Sequence, residues 1–375
     1  QFMNITYISN SSAPSKNASS LQTAKLCEGI SKLGNKVNLI LPETGLNKNY
    51  FNFYNIKTKF KLTRLSFFKK FPKGINYYLY VFYSIYKSDF KMQDLFITRN
   101  FFASFILSLL NKKQIFEIHG GIELEGRIVK FLIRHLKILN NKNIIKIITT
   151  THSLKRLYVT KYKVKKDKIY VLHNASGLKS NFSKINNNKK RLSIGYFGSL
   201  YVSRGLNILI NLAKNDTRND YFIYGGDKNY IKILKKKYHF KNLFFNEYIP
   251  YSKIQNKLKK IDLCILPYTN QVTVSGDVGD ISKYTSPLKL FDYMKLGKLI
   301  LCSNLKVLNE VLINKRNCIL INDYKNEEEW LRQISKVSKN IKKYDRIRRS
   351  AFEYAKNHDV IWRTSKLLSF YHYSD

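Results

Sequence analysis

The sequence predicts an α/β protein of two Rossmann-like, doubly wound parallel sheets whose halves face a cleft. Short runs rich in Val, Ile, Leu and Phe alternate with amphipathic stretches at helical spacing, the signature of strand–helix–strand units. The alternation restarts after a stretch poor in apolar residues near position 180, and 375 residues are enough for two cores. The expected division is a first domain over 1–178, a linker over 179–192, a second domain over 193–355, and a C-terminal helix over 356–375 that packs back on the first domain.

In the first half, Asn4–Ser9 reads as a strand and Asn10–Lys16 as the polar loop after it. Leu21, Ala24, Cys27, Ile30 and Leu33 share one face of a helix from about Ala18 to Leu33, and Gly34 ends it. Val37–Leu41, Asp94–Thr98, Ile115–His119, Ile144–Thr149 and Lys168–Leu172 continue the strand series. Lys179–Lys190, full of Ser, Asn and Lys, supplies the linker.

The second half opens with a strand at Ser193–Phe197, turns at Gly198, and enters a helix near Gly205 that lines up Leu206, Leu209, Ile210 and Ala213. Strands follow at Tyr221–Tyr224, Leu243–Glu247, Leu263–Leu266, Leu299–Cys302 and Cys318–Ile321. From Glu327 to Tyr373 the pattern is mostly helical.

Charge is the strongest compositional signal. Lys and Arg number 67 against 25 Asp and Glu, a formal net charge of +42. Abundant Lys, Asn, Ile, Tyr and Phe accompany it, as AT-rich coding would give, yet the field still attracts anionic partners. No run of about 18 to 20 uncharged apolar residues is present, so no membrane-spanning helix is expected. Gln1 and Phe2 precede Met3, the expected natural start, and the chain enters its first strand without a charged-then-apolar leader. Cys27, Cys264, Cys302 and Cys318 sit in apolar elements without metal-ligand spacing, as reduced core residues of a cytoplasmic protein would.

Three places carry chemistry in the second half and at its turns. In Thr285–Gly297, Ser286 is expected to cap a helix, Pro287 to sit in its first turn, and Gly297 to stop it. Backbone amides at such a start, around Ser286, Pro287, Leu288 and Lys289, can hold an anion, and Asp292 stands where a carboxylate could meet ribose hydroxyls. An ordinary core helix would read the same way. Gly198 and Ser199 begin a strand-to-helix turn in which Arg204 could clamp a diphosphate. Gly225 and Gly226 are expected after their strand, shaping the rim. The acids of Asp277–Asp280 do not have acid-any-acid spacing, so no metal is expected.

The first half offers His119 at a strand end beside Gly120 and Gly121, placed to hydrogen-bond a sugar hydroxyl. Arg99 follows another strand, and Asn10, Ser11 and Ser12 lie in the first loop; all four residues are expected on the acceptor side. Lys57–Phe90 mixes lysines with Phe67, Phe68, Phe71, Tyr77, Tyr78 and Tyr80, a composition suited to a lipid headgroup layer. Arg127, Lys130, Arg134 and Lys137 form a positive stripe at helical spacing. No recognised nucleic-acid motif accompanies the charge, so nucleic acid is not the expected partner.

The 285–297 stretch resembles the donor-binding motif of family 4 retaining glycosyltransferases of the GT-B fold, with its serine-proline-leucine-lysine start and phenylalanine-acid-tyrosine-methionine continuation. That resemblance implies two facing Rossmann-like domains, a nucleotide-sugar donor, sugar transfer with retention, and no cofactor or metal. It puts Asp292 at the second, ribose-binding acid position of the family and Tyr284 where the first acid would stand. The family's two basic residues at the first turn of the second domain fall at Ser199 and Arg204, so one cation is kept. His119 aligns with a histidine that points at the donor sugar, which gives it a positioning and catalytic part together with Arg204. Tyr248, in Glu247–Pro250, falls where the nucleotide base meets backbone groups.

The reading is therefore a retaining glycosyltransferase acting on a lipid-linked glycan acceptor for a bacterial surface polysaccharide or glycoconjugate, cytoplasmic and peripheral at the inner face of an anionic membrane. Two alternatives stay open: a nucleotide-sugar epimerase of the same fold, and a basic lipid- or nucleic-acid-binding protein with a decayed donor site.

Overall fold

The computed structural model describes residues 2–43, 49–66, 72–123, 125–182, 190–273 and 280–372. Residues 67–71 of the basic aromatic stretch, residues 183–189 of the expected linker, Asp277, Val278 and Gly279, and Tyr373 lie outside them.

The chain forms two compact units. The first holds Gln1–His173 and Val360–Asp375, the second Asn174–Asp359. The chain thus leaves the first unit at 173, ahead of the expected 179–192, because residues 174–181 are already bonded to the second: the Asn174 amide donates to the Ser286 carbonyl at 2.5 Å and the Asn181 N–H to that of Lys295 at 3.3 Å.

The strands of the first unit are β1 (Asn4–Ile8), β2 (Lys36–Pro42), β3 (Lys61–Leu65), β4 (Leu95–Thr98), β5 (Gln114–Ile118), β6 (Ile144–Thr149) and β7 (Ile169–Val171). Its helices are α1 (Ala18–Lys32), α2 (Tyr50–Phe53), α3 (Lys73–Lys87), α4 (Phe101–Leu109), α5 (Arg127–Arg134) and α6 (His152–Thr160). All strands run parallel in the order β3-β2-β1-β4-β5-β6-β7. The order reverses between β1 and β4, so the loops after β1, β4 and β5 gather at a switch point.

Sequence reading overlooked β3 within Lys57–Phe90. It is an edge strand, Lys-Leu-Thr-Arg-Leu, mostly exposed or half-buried, and the exposed Lys61 and Arg64 on its two faces break the apolar pattern that marks the other strands. Lys137 also leaves the expected positive stripe, since α5 ends at Arg134 and Lys137 has a left-handed φ of 47°.

The second unit contains β8 (Ser193–Phe197), β9 (Asp220–Gly226), β10 (Leu243–Glu247), β11 (Leu263–Leu266), β12 (Leu299–Ser303) and β13 (Ile319–Ile321). Between them run α7 (Leu206–Asn215), α8 (Lys228–Lys237), α9 (Tyr251–Lys259) and α10 (Leu288–Lys295), followed by α11 (Glu327–Lys339) and α12 (Asp345–Asn357). The parallel order β10-β9-β8-β11-β12-β13 reverses between β8 and β11. β11 and β12, Leu-Cys-Ile-Leu and Leu-Ile-Leu-Cys-Ser, are buried throughout, as strands covered on both faces must be. Gly225 and Gly226 belong to β9 itself and do not follow it.

The last helix, α13 (Val360–His372), belongs to the first unit and packs on α1. Gly29 permits this, because a Cβ there would stand 2.4 Å from the Thr364 hydroxyl. Leu367 and Leu368 complete the apolar core that includes Tyr7, Ile30 and Leu39. All four cysteines are buried thiols.

Candidate functional site

The second unit gathers cations at its switch point. β8 ends at Phe197, and Gly198 turns the chain at φ +149°. A side chain at 198 would collide with Lys289, because an added Cβ would lie 2.1 Å from Nζ. Gly205, at φ +83°, lets the turn press against the Pro267 carbonyl, which a Cβ would meet at 1.9 Å. Between these glycines Arg204 folds inward, its guanidinium donating to the Tyr268 hydroxyl at 3.1 Å and the Thr273 carbonyl at 2.7 Å.

Lys289 comes from the first turn of α10 and points into the same place. Its Nζ is shielded from solvent with no hydrogen-bond partner, lying 4.0 Å from the Tyr196 ring centre and 5.3 Å from that of Tyr268. Burial, and then the Arg204 charge, hold its pKa well below the ordinary lysine value. Arg204 Nε is likewise buried and unpartnered. Among the described residues no carboxylate bonds either group, so these two neighbouring basic side chains with unsatisfied donors could take an anion, since like charges gathered in low dielectric are costly until neutralised.

The start of α10 differs from the expectation. The residue capping its start is Pro287, with no side-chain cap, so Ser286 lies outside the helix and offers its carbonyl to Asn174. Gly297 does close the helix, at φ +59° with its N–H on the Met294 carbonyl. Asp292, expected to face a ribose, is buried; its Oδ1 accepts from the Ser176 hydroxyl at 2.5 Å and the Tyr251 hydroxyl at 2.9 Å. Through these two bonds Asp292 tethers segment 174–178 to α10. Ser176 and Tyr251 escaped sequence reading because neither belongs to a recognisable motif.

Around this centre Ser199 is exposed and accepts from the Tyr196 hydroxyl through its carbonyl at 2.8 Å. Tyr248 is half-buried, and its N–H is engaged by the Gly226 carbonyl at 2.9 Å. Leu288 is half-buried at the start of α10.

The first unit has its own constellation at the carboxyl ends of β1, β4 and β5. Glu117 is buried on β5 and accepts from Arg363 of α13 at 2.8 Å and Arg99 at 3.3 Å, with the Tyr7 hydroxyl also at 3.3 Å. Against the upward push of burial, Arg99 and Arg363 hold its pKa well below the carboxylate range. Arg99 is thus bonded to Glu117 and, at 3.2 Å, to Gln22.

His119 lies two residues beyond Glu117. Its Nε2 is 3.8 Å from the carboxylate, too far for a hydrogen bond, and buried without a partner. Burial, then the Arg99 charge, push its pKa down to about 4, so it is a neutral imidazole at pH 7. Ser11 and Ser12 are half-buried, Ser11 donating its N–H to the Ser9 hydroxyl at 3.1 Å and Ser12 accepting from the Ser20 hydroxyl through its carbonyl at 3.4 Å; Asn10 is exposed. Among the described residues no group of three His, Cys, Asp or Glu is arranged to hold a metal ion.

The comparisons with known proteins agree with this architecture. Residues 179–354 match the family model of the glycosyl transferases group 1. Anabaena Alr3699/HepE, solved in complex with UDP and glucose, aligns at TM-score 0.72 and 14% identity over 98% of each chain. The fold is GT-B. A glycosyltransferase from Rickettsia africae ESF-5 aligns at 0.72 and 14% over 100% of this chain and 99% of its own. The sucrose-phosphate synthase of Thermosynechococcus elongatus aligns at 0.74 and 13% over 99% and 98%. At such identities the GT-B likeness is one of architecture. No curated protein matches the chain in sequence.

Proposed function

We propose that the protein is a retaining glycosyltransferase of the family 4 type that takes a sugar from a nucleoside-diphosphate donor, UDP-linked as in the HepE complexes. One observation carries the reading: Lys289 Nζ, buried and without a hydrogen-bond partner, and Arg204 both lie against Tyr268, on the segment matching the glycosyltransferase model. A pyrophosphate supplies the two negative charges this pair lacks. As the glycosyl bond breaks, charge builds on the departing β-phosphate, and fixed cations in a dry site stabilise it without reorganising. Arg204 and Lys289 thus take the part that a metal ion takes in other sugar transferases. His119, neutral at pH 7, can exchange hydrogen bonds with a sugar hydroxyl without adding charge.

The acceptor in this reading is a lipid-linked glycan intermediate of a bacterial surface polysaccharide, met in the cytoplasm at the inner membrane face. The charge of +42 supports an anionic surface as the place of work. The non-acidic Tyr284 and the engaged Asp292 favour a second reading, a binding protein with a decayed donor site. A thermal-shift panel of UDP-, GDP- and ADP-sugars without metal separates the two. One nucleotide class should stabilise the wild type, and Arg204→Ala and Lys289→Met should lose the shift. No stabilisation by any donor would reject the transferase.

A further inference from the structure

We propose that the outer face of α3 and α5 in the first unit is a docking surface for an anionic lipid bilayer. The inference is independent of the sugar-transfer reading. In a helix that covers a sheet, the apolar stripe normally faces in and the polar residues face out. α3 is the reverse in part: Asn76 and Ser84 are buried, whereas Ile75, Phe82 and Tyr86 are between 49% and 71% exposed. Spacings of seven and four place these three on one stripe, with half-buried Leu79 filling it. α5 and the turn after it expose Ile128, Phe131 and Leu136 to a similar degree.

These helices belong to one layer. Tyr78 and Phe82 of α3 pack on Phe102 of α4, with ring centres 4.6 and 5.7 Å apart, α4 contacts α5, and the Tyr78 hydroxyl lies beside Gly126 at the start of α5. Exposed aromatic and aliphatic side chains gathered this way mark an interaction site.

The surrounding charge chooses the partner. Exposed Arg127 and Arg134 and half-buried Lys130 interleave with the apolar residues of α5, and Lys87 lies over the Tyr83 and Tyr86 rings at 5.4 and 5.7 Å. No acidic residue occurs between Glu43 and Asp89, or between Glu125 and Asp167, so both docking helices lie in acid-free stretches. Apolar side chains that can enter the acyl boundary, ringed by cations that reach headgroups, suit anionic lipid. Nucleic acid would use the cations and leave Ile75, Ile128 and Leu136 without a function.

Vesicle co-sedimentation of the full chain, without sugar donor, tests the assignment. The wild type should bind phosphatidylglycerol–phosphatidylcholine vesicles, fail on phosphatidylcholine alone, and release with salt. Phe82→Ser with Phe131→Ser, and separately Arg127→Gln with Arg134→Gln, should each weaken binding by roughly tenfold at unchanged melting temperature. Lys235→Gln with Lys236→Gln, on exposed α8 of the second unit, removes equal charge and should bind like wild type. Undiminished binding by both first-unit variants, or an equal loss in the α8 control, overturns the proposal. So does a lipid-free dimer that the Phe variants dissociate, which would give the face to a second copy. Donor thermal shifts are read without lipid, so failure of either idea is seen separately.

Discussion

Arg363 of α13 and Glu117 of β5, 246 positions apart in the chain, form an ion pair of 2.8 Å in the interior of the first unit. The pair fixes the end of the strand that carries His119, and a second arginine, Arg99, shares the same carboxylate.

Arg363→Met should destabilise the protein by about 3 kcal/mol at pH 7, because a buried carboxylate then keeps only part of its compensation. Glu117 has a lowered pKa, so its contribution is present above the unfolded value of about 4.3 and is lost as pH falls through the folded one. Urea titrations of the two proteins should therefore differ fully at pH 7 and converge only in the acid range. Parallel curves at every pH would separate Arg363 from the Glu117 charge.

His119 makes the first unit sensitive to mild acid. Its pKa drops from an unfolded value of about 6.5 to about 4, so the unfolded chain binds the extra proton first and stability declines through that window as pH falls. Between pH 7 and pH 5 the wild type should lose about 2 kcal/mol more than His119→Gln. Equal losses would mean that the imidazole charges freely in the folded protein.

Lys289→Met should act in opposite directions on the empty and the liganded protein. Removing a buried amine without a hydrogen-bond partner should raise the melting temperature in buffer, while stabilisation by UDP should vanish. Since a diphosphate favours the protonated amine, the wild type should take up protons on binding UDP and the variant should not. Calorimetry in buffers of different ionisation enthalpy reads this directly, and absence of uptake in the wild type would remove Lys289 from the phosphate site.

The Asp292 tether separates structure from recognition. Tyr251→Phe should cost about 1 kcal/mol and Asp292→Ala about 3, since the latter leaves two buried hydroxyls without their acceptor. UDP and 2′-deoxy-UDP should bind wild type alike. A strong preference for the ribose that Asp292→Asn erases would return the carboxylate to the nucleotide.

Strand positions were legible because buried parallel strands are continuous apolar runs: Ile144–Thr149, Ser193–Phe197, Leu243–Glu247 and Leu263–Leu266 stand as read. β3 was lost to its basic edge-strand composition. The turn residues Gly198 and Arg204 and the helix start at Leu288–Lys289 could be read locally, since glycine spacing and a proline-led helix leave marks in sequence. Partnerships between distant residues leave none. Nothing near Asp292 announces Ser176 or Tyr251, and nothing near Glu117 announces Arg363, so residues that looked open in the sequence proved engaged in the structure.

The return of α13 makes the first unit discontinuous, with an ordering consequence during synthesis. A ribosome that has released residue 359 has delivered everything the second unit needs, whereas the first still lacks Arg363, Leu367 and Leu368. The unit begun first is thus the last to be completed. Until then, the nascent strand end at Glu117 holds its charge against Arg99 alone.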